Sequence, residues 1–439
     1  MMRIHTLRAR EILDSRGRPT VEADVRLEDG SFGRAAVPSG ASTGSAEAHE
    51  LRDRDPERYE GLGVRAAVAH VNGEIAQALI GEDAGNQKGV DDCLRSLDGT
   101  PNLQRLGANA VLAVSLAVCR AAATAAGQML HERIAVLAGT AIPSLPLPMV
   151  NILSGGLHAG RGMDIQDFLA MPVRSACFGD AMHALTRVRN AATHIAAARG
   201  MSTLLADEGG ISPGLASPEA ALDMMMQCIE QAGLTPGLDI AIAVDVAATT
   251  FRAEHGGYFL RREAQQLTAE EWIERLAQWS CQYPVVSIED GLHEEDWDAW
   301  RSLTGRLGAS TQLLGDDLFA TNLGRLKRGI AEGVANAVLV KLNQNGTLSG
   351  TLEFIATARA AGYRTVVSAR SGETEDPFMS DLAVGSGAGQ IKIGSLRTSS
   401  TLSKYNQLLR IEDAGGVSYA GYAALRPPPG GTRVVRTPD

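Results

Sequence analysis

Six short segments in the second half of the chain each carry residues able to do chemistry. Asp245 lies in AVDV, Glu289-Asp290 in SIED and Asp316-Asp317 in LGDD. Lys341 sits in LVKL, Arg370-Ser371 in SARSG and Lys392 in QIKIG. Taking the first residue of each, successive positions lie 44, 27, 25, 29 and 22 residues apart. Three acids brought together repel one another unless a cation lies between them. Hard oxygen ligands without Cys or His favour Mg²⁺. That reading makes Asp245, Glu289 and Asp316 the ligands; a charged rim of unrelated salt bridges is the alternative. A lysine within an apolar strand pattern is either paired or shifted in pKa, and shifted lysines are candidate bases. Arg370-Ser371 before a glycine suits a phosphate or carboxylate clamp. Together these groups suggest abstraction of a proton next to a carboxylate, with a metal offsetting the charge that develops.

Regular elements must deliver these residues to one place. Short β-branched runs at 239–246, 285–288, 312–314, 337–340, 365–367 and 391–393 alternate with helical periods. The last four spacings fit one β/α repeat each; the first is longer and includes a possible strand at 258–260. Such alternation predicts a parallel sheet, and the length available favours a closed β/α barrel whose strand ends converge on one mouth. An open doubly wound sheet is the alternative. No Gly-x-Gly-x-x-Gly opens a helix after a first strand, and there is no Gly-Lys-Ser/Thr phosphate loop, so nucleotide folds are disfavoured.

The first part of the chain reads differently. TVEADVRL alternates as a half-buried strand and can pair with 31–37 across the Asp29-Gly30 turn. Helices are expected at 64–79 and 108–126, and PSGASTGSAEAHE reads as a loop. The segment GTAIPSLPLP has three prolines within six positions. Proline continues neither a helix nor a central strand, which places a boundary here. The expected domains are residues 1–138, α+β with a lid loop, and residues 143–439, the barrel.

With 44% hydrophobic and 21% charged residues, the 439-residue chain is not disordered. A net charge of −10 disfavours nucleic acid as a partner. The five scattered cysteines have no ligand or redox spacing and read as reduced thiols of a cytoplasmic protein. The first residues show no apolar leader core. The apolar stretch at 108–127 is interrupted by Asn109, Ser115, Arg120 and Thr124, so it reads as a buried helix rather than a membrane span.

These motifs carry a resemblance. REILDSRGRPTVEA, VPSGASTG, LDGT, GANAVLAVSLA, DEGG, SIEDGL, GDDLFATN, RSGETED, LAVG and KYNQLLRIE follow one another in the order found in enolases. The chain therefore resembles the enolase (phosphopyruvate hydratase) family along nearly its whole length. The resemblance implies an α+β N-terminal domain and a barrel that opens with two strands and two helices. It also implies a homodimer or larger homo-oligomer with two Mg²⁺ per active site. By position, Asp245, Glu289 and Asp316 would hold the first ion and Ser42, on the lid at 38–44, would join the second. Lys341 matches the base that takes the C2 proton, and Glu208 the acid that helps the C3 hydroxyl leave. Lys392 matches the lysine facing the substrate carboxylate, and Arg370 with Ser371 the phosphate clamp. His158 and Gln166 match substrate contacts.

Two positions depart from the family. Its motif Ser-His-Arg-Ser-Gly-Glu is here Ser368-Ala369-Arg370-Ser371-Gly372-Glu373, and its Gln-Glu-Phe is Gln166-Asp167-Phe168. Both lie, in the family, near the acid and the leaving hydroxyl, and Asp167 keeps the charge on a shorter arm as a catalytic candidate. Asn345 and Ile393 are smaller departures. Three functions remain open: dehydration of 2-phosphoglycerate as in glycolysis; the same elimination on a bulkier carboxyphosphono analogue, as in phosphonate biosynthesis; and a non-catalytic binding protein.

Overall fold

Strands β1 (Ile4–Leu13), β2 (Pro19–Leu27) and β3 (Phe32–Ala36) form an antiparallel meander. The computed structural model describes residues 2–40, 46–140 and 142–426. The expected pairing across Asp29-Gly30 is present, with Glu22 opposite Ala36 and Arg26 opposite Phe32. Helix α1 runs through Arg65–His70, a π-helical Val71–Ile75 and Ala76–Leu79. It is followed by α2 (Gln87–Asp98), α3 (Ala108–Ala125) and α4 (Leu130–Ala138). Helix α3 is long and apolar enough to cross a membrane, but 83% of it is buried inside the protein. Its alanines let the sheet approach closely: a Cβ on Gly33 of β3 would lie 2.1 Å from the Ala117 carbonyl. Glycine is required there by space alone.

The second part is a closed eight-stranded barrel. It opens with β4 (Leu147–Ser154) and β5 (Asp167–Pro172), then α5 (Phe178–Ala198) and α6 (Pro218–Gln231), before β6 (Ile240–Asp245). Strand–helix pairs follow: α7 (Ala269–Gln282), β7 (Val285–Glu289), α8 (Trp297–Leu307), β8 (Gln312–Gly315) and α9 (Leu323–Glu332). The ring is completed by β9 (Ala337–Val340), α10 (Leu348–Ala360), β10 (Arg364–Ser368), α11 (Phe378–Gly385) and β11 (Gly389–Lys392), with α12 (Ser399–Ala414) outside. Strand β11 pairs with β4 to close the circle.

Three expectations need correction. The sheet is not wholly parallel: β5 runs antiparallel to both β4 and β6. No crossover helix separates β4 from β5, and without one a neighbouring strand returns antiparallel. The prolines do not exclude a strand, since Pro148 is the second residue of β4. At a strand start the missing N–H costs little. The strand at 258–260 exists but pairs with Gln265–Leu267 as a separate hairpin, outside the barrel.

Inside the ring, Leu147, Met149, Leu169, Met171, Leu314 and Leu339 pack into one apolar cluster. The barrel is thus a filled core rather than a pore, and chemistry is confined to its mouth.

Candidate active site

The strand ends place the acids in one layer. Asp245 lies opposite Glu289 across the β6–β7 pair and opposite Asp167 across β5–β6. Because β5 is reversed, its first residue, Asp167, points to the same end as the last residues of its neighbours. Asp316 follows β8, Lys341 follows β9 and Lys392 closes β11.

A cavity of about 140 Å³ occupies this mouth. Its wall includes His158, Gln166, Glu208, Asp245, Asp316, Lys341, Ala369, Arg370, Ser371 and Lys392. A larger cavity of about 640 Å³ lies between α2 and the barrel flank, and neither Lys341 nor Lys392 lines it. The chemistry belongs to the smaller one, where ionisable groups converge. Glu289 sits behind the wall, buried, and reaches it through Lys392. Asp167 is also buried behind the wall and accepts from the Ser154 hydroxyl. Ser42 lies outside the described residues.

Lys392 is the electrostatic centre. Its Nζ lies 2.6 Å from Asp245 Oδ2 and 2.8 Å from both Glu289 oxygens. Burial opposes its charge, but Asp245 and Glu289 outweigh burial and raise its pKa well above the ordinary lysine value. Two carboxylates against one ammonium leave an excess negative charge. Burial, then Asp245, accordingly pushes the Glu289 carboxyl well up. Asp167 is raised by burial and by Glu208 and Asp245.

Lys341 donates to Asp316 Oδ2. Of the two alternatives for a lysine in an apolar strand, this one is paired. Burial opposes its charge, and so does Arg370, but Asp316 prevails and the Lys341 pKa is raised. For Asp316, burial is outweighed by Lys341, and its carboxyl is held low. The neighbouring Asp317 is pushed up to about 7 by burial and by Asp316.

On the other side, Glu208 accepts from Asn151 Nδ2 at 2.9 Å, and its carbonyl accepts from Ser395 N at 2.7 Å. Strands β10 and β11 separate Lys341 from this point on the ring. Gln166 Nε2 donates to Asp245 Oδ2 at 3.0 Å. His158 Nδ1 is buried with no hydrogen-bond partner among the described residues.

The clamp is built by its own turn. Arg370 N donates to Glu373 Oε1 at 3.0 Å, and Glu373 Oε2 pairs with the buried Lys404 at 2.9 Å. Ser39 and Gly372 exchange backbone hydrogen bonds of 2.8 and 3.0 Å, which stitch the N-terminal part to the clamp. Arg16 Nη1 then donates to Ser371 Oγ at 3.2 Å.

The donor set fits a hard divalent cation. Among the described residues, the cavity wall carries seven carboxylates (Glu47, Glu208, Asp245, Asp290, Glu294, Asp316 and Asp317) against three cations, Lys341, Arg370 and Lys392. Asp290, Asp316 and Asp317 offer oxygens within 4.8 Å of one another. Spacing along the chain does not single out Asp290 or Asp317 as ligands. Asp290 already spends both oxygens on backbone N–H groups, so its evident task is to hold the turn. Glu47 also escapes sequence reasoning; its one signal is an acid close after the glycine-rich loop.

Comparison with known families agrees with this architecture. Residues 143–427 match the model described as the enolase C-terminal TIM barrel domain. Residues 4–134 match the enolase N-terminal domain.

Proposed function

Because the chain belongs to the enolase family and is at the coarse level an enolase-superfamily lyase, we propose that it removes water from 2-phosphoglycerate or a close analogue. The product is of the phosphoenolpyruvate type. The observation that carries this reading is the cavity itself, where seven carboxylates outnumber three cations among the described residues around a phosphate-type clamp. Such a site repels an anionic substrate until divalent cations redress the balance.

Asp245, Glu289 and Asp316 are the residues that would hold Mg²⁺, with Ser42 a candidate for a second ion. Bound there, the ions would take up carboxylate charge and polarise the substrate carboxylate. Arg370 and Ser371 bind the phosphate and fix its orientation. Lys341, once Asp316 is otherwise engaged and its ammonium has released a proton to solvent, accepts the C2 proton at Nζ. Lys392 offsets charge gathering on the substrate carboxylate. Glu208, held by Asn151, delivers a proton to the leaving C3 hydroxyl from the far side of the ring. His158 and Gln166 complete the substrate contacts, and Asp167 acts through Glu208 and Asp245 rather than on the substrate.

A second reading is favoured by one observation: Ala369 lines the cavity next to Arg370, where the family carries an imidazole. The space left there suits an analogue with an additional carboxylate on phosphorus. The test is absorbance of the enol product with 2-phosphoglycerate and Mg²⁺, followed by exchange of the C2 proton in deuterated water. Turnover on the order of 1–10³ per second supports the first substrate. Proton exchange without turnover supports the analogue. Absence of both sinks the lyase mechanism as drawn.

A further inference from the structure

Glu47 lies in the N-terminal part, yet its side chain ends at the barrel mouth. Its Oε2 is 2.9 Å from Arg370 Nη1, and its Oε1 is 3.3 Å from Arg370 Nη2. The same Oε1 accepts from Gln344 Nε2 at 3.3 Å. Gln344 Nε2 is also 3.3 Å from Asp316 Oδ1, while its Oε1 accepts from Thr321 Oγ1 at 2.6 Å. Thr321 Oγ1 in turn accepts the backbone N–H of Lys341 at 3.0 Å. One carboxylate therefore touches the anion clamp directly, reaches Asp316 through a single buried amide, and reaches the Lys341 backbone through that amide and the Thr321 hydroxyl.

The segment that carries Glu47 is pinned on both sides. Ala48 N donates to the Gln344 carbonyl at 2.9 Å, and Asn322 Nδ2 to the Ala46 carbonyl at 3.3 Å. His49 N donates to the Asn102 carbonyl at 2.8 Å, and Ala108 N to the His49 carbonyl at 2.8 Å. The Glu47 and Arg370 side chains are 7% and 4% exposed. A carboxylate brought this far from water, on a backbone fixed to both parts of the protein, is held in one orientation.

We propose that Glu47 is a positioning residue that sets the Arg370 clamp and Asp316 together, so that the N-terminal part completes the site. The proposal rests on the reading of Arg370 as an anion clamp and of Asp316 as a cation ligand. Two roles compete for the same geometry. A positioning carboxylate orients the guanidinium, so its loss weakens anion binding. A merely competing carboxylate occupies the guanidinium, so its loss tightens anion binding. The coupled hold on Gln344 favours the first, because a competitor has no need of a second partner on the ligand side.

The test is calorimetric binding of Mg²⁺ alone, and of inorganic phosphate in the presence of Mg²⁺, to the full chain and to Glu47→Ala, Glu47→Gln and Gln344→Ala. Circular dichroism checks that each variant is folded. Glu47→Ala is expected to weaken phosphate binding roughly tenfold and Mg²⁺ binding severalfold, as loss of a charge-assisted contact implies. Glu47→Gln, which keeps one acceptor, should fall between. Gln344→Ala should weaken Mg²⁺ and leave phosphate nearly unchanged. Unchanged or tighter phosphate binding by Glu47→Ala overturns the proposal while leaving the clamp intact. Failure of the unaltered chain to bind phosphate overturns the clamp and the proposal with it. If Glu47→Ala does not fold, Glu47→Gln decides by the same signs.

Discussion

Asp290 accepts the backbone N–H groups of Asp316 and Asp317 on its two carboxylate oxygens, at 2.9 and 2.8 Å. A buried acid at the end of β7 thus shapes the turn after β8. Its backbone is committed too, with φ of 41° in the left-handed region. Burial and the nearby Asp317 and Asp316 charges raise its pKa well above normal, and the N–H bond from Asp317 pulls the other way.

Asp290→Ala should leave that turn without its anchor. Partners of this kind typically contribute a factor of about 10–100 in metal affinity. The expected result is a rise of that order in the Mg²⁺ concentration giving half-maximal thermal stabilisation. Asp290→Asn should recover part of the loss. An unchanged Mg²⁺ titration would show that the turn holds itself.

Ala369 lines the cavity and is 8% exposed. Restoring an imidazole with Ala369→His should raise turnover of 2-phosphoglycerate by about a hundredfold or more, the usual range for acid–base assistance starting at about 10². The same change should depress turnover of a carboxyphosphono analogue by filling its space. Both rates are read from steady-state assays. Equal rates before and after on 2-phosphoglycerate would mean that no group is missing.

Lys392→Ala would leave Asp245 and Glu289 facing each other in a buried site. Breaking a buried pair in this way costs about 3–5 kcal/mol. Urea unfolding in chelator should show a loss of that size. Added Mg²⁺ should recover a larger share of stability for the variant than for the unaltered chain. A loss of equal size with and without Mg²⁺ would argue against these two acids as ligands.

Asp317 supplies a pH prediction. Its carboxyl is pushed up to about 7, by burial first and Asp316 second. Between about pH 4, where the unfolded carboxyl titrates, and pH 7, the folded chain keeps a proton that the unfolded chain has lost. Stability from this group is therefore complete below pH 4 and is lost as pH rises through 7. In chelator, Asp317→Asn should melt higher than the unaltered chain at pH 8, and the two should converge below pH 4. Parallel melting curves across this range would contradict the shift.

Much of the site was legible because β/α units repeat at nearly constant length. That periodicity alone joins Asp316, Lys341, Arg370 and Lys392 into one series. Glu208 and His158 carry no such signal and are found by family resemblance alone. They lie on connections after β4 and β5, the first strands of the ring, where the repeat is broken. Strands β4 and β5 themselves are buried on both faces. Their sequences therefore lack the alternation that marks a half-exposed strand.

The amino-acid sequence by itself determined the barrel class, the acids and cations at its strand ends, and the two departures at Ala369 and Asp167. Those features are local: they depend on residue type and on spacing within one repeat. Only the tertiary structure decided that β5 runs backwards and turns Asp167 to the mouth. It likewise decided that Asp316 keeps Lys341 charged, and that Glu47, 323 positions from Arg370, closes on its guanidinium. Each of these depends on which distant segments are pressed together and on the water excluded between them. A charge in such a place takes its behaviour from its neighbours in space, whatever their distance along the chain.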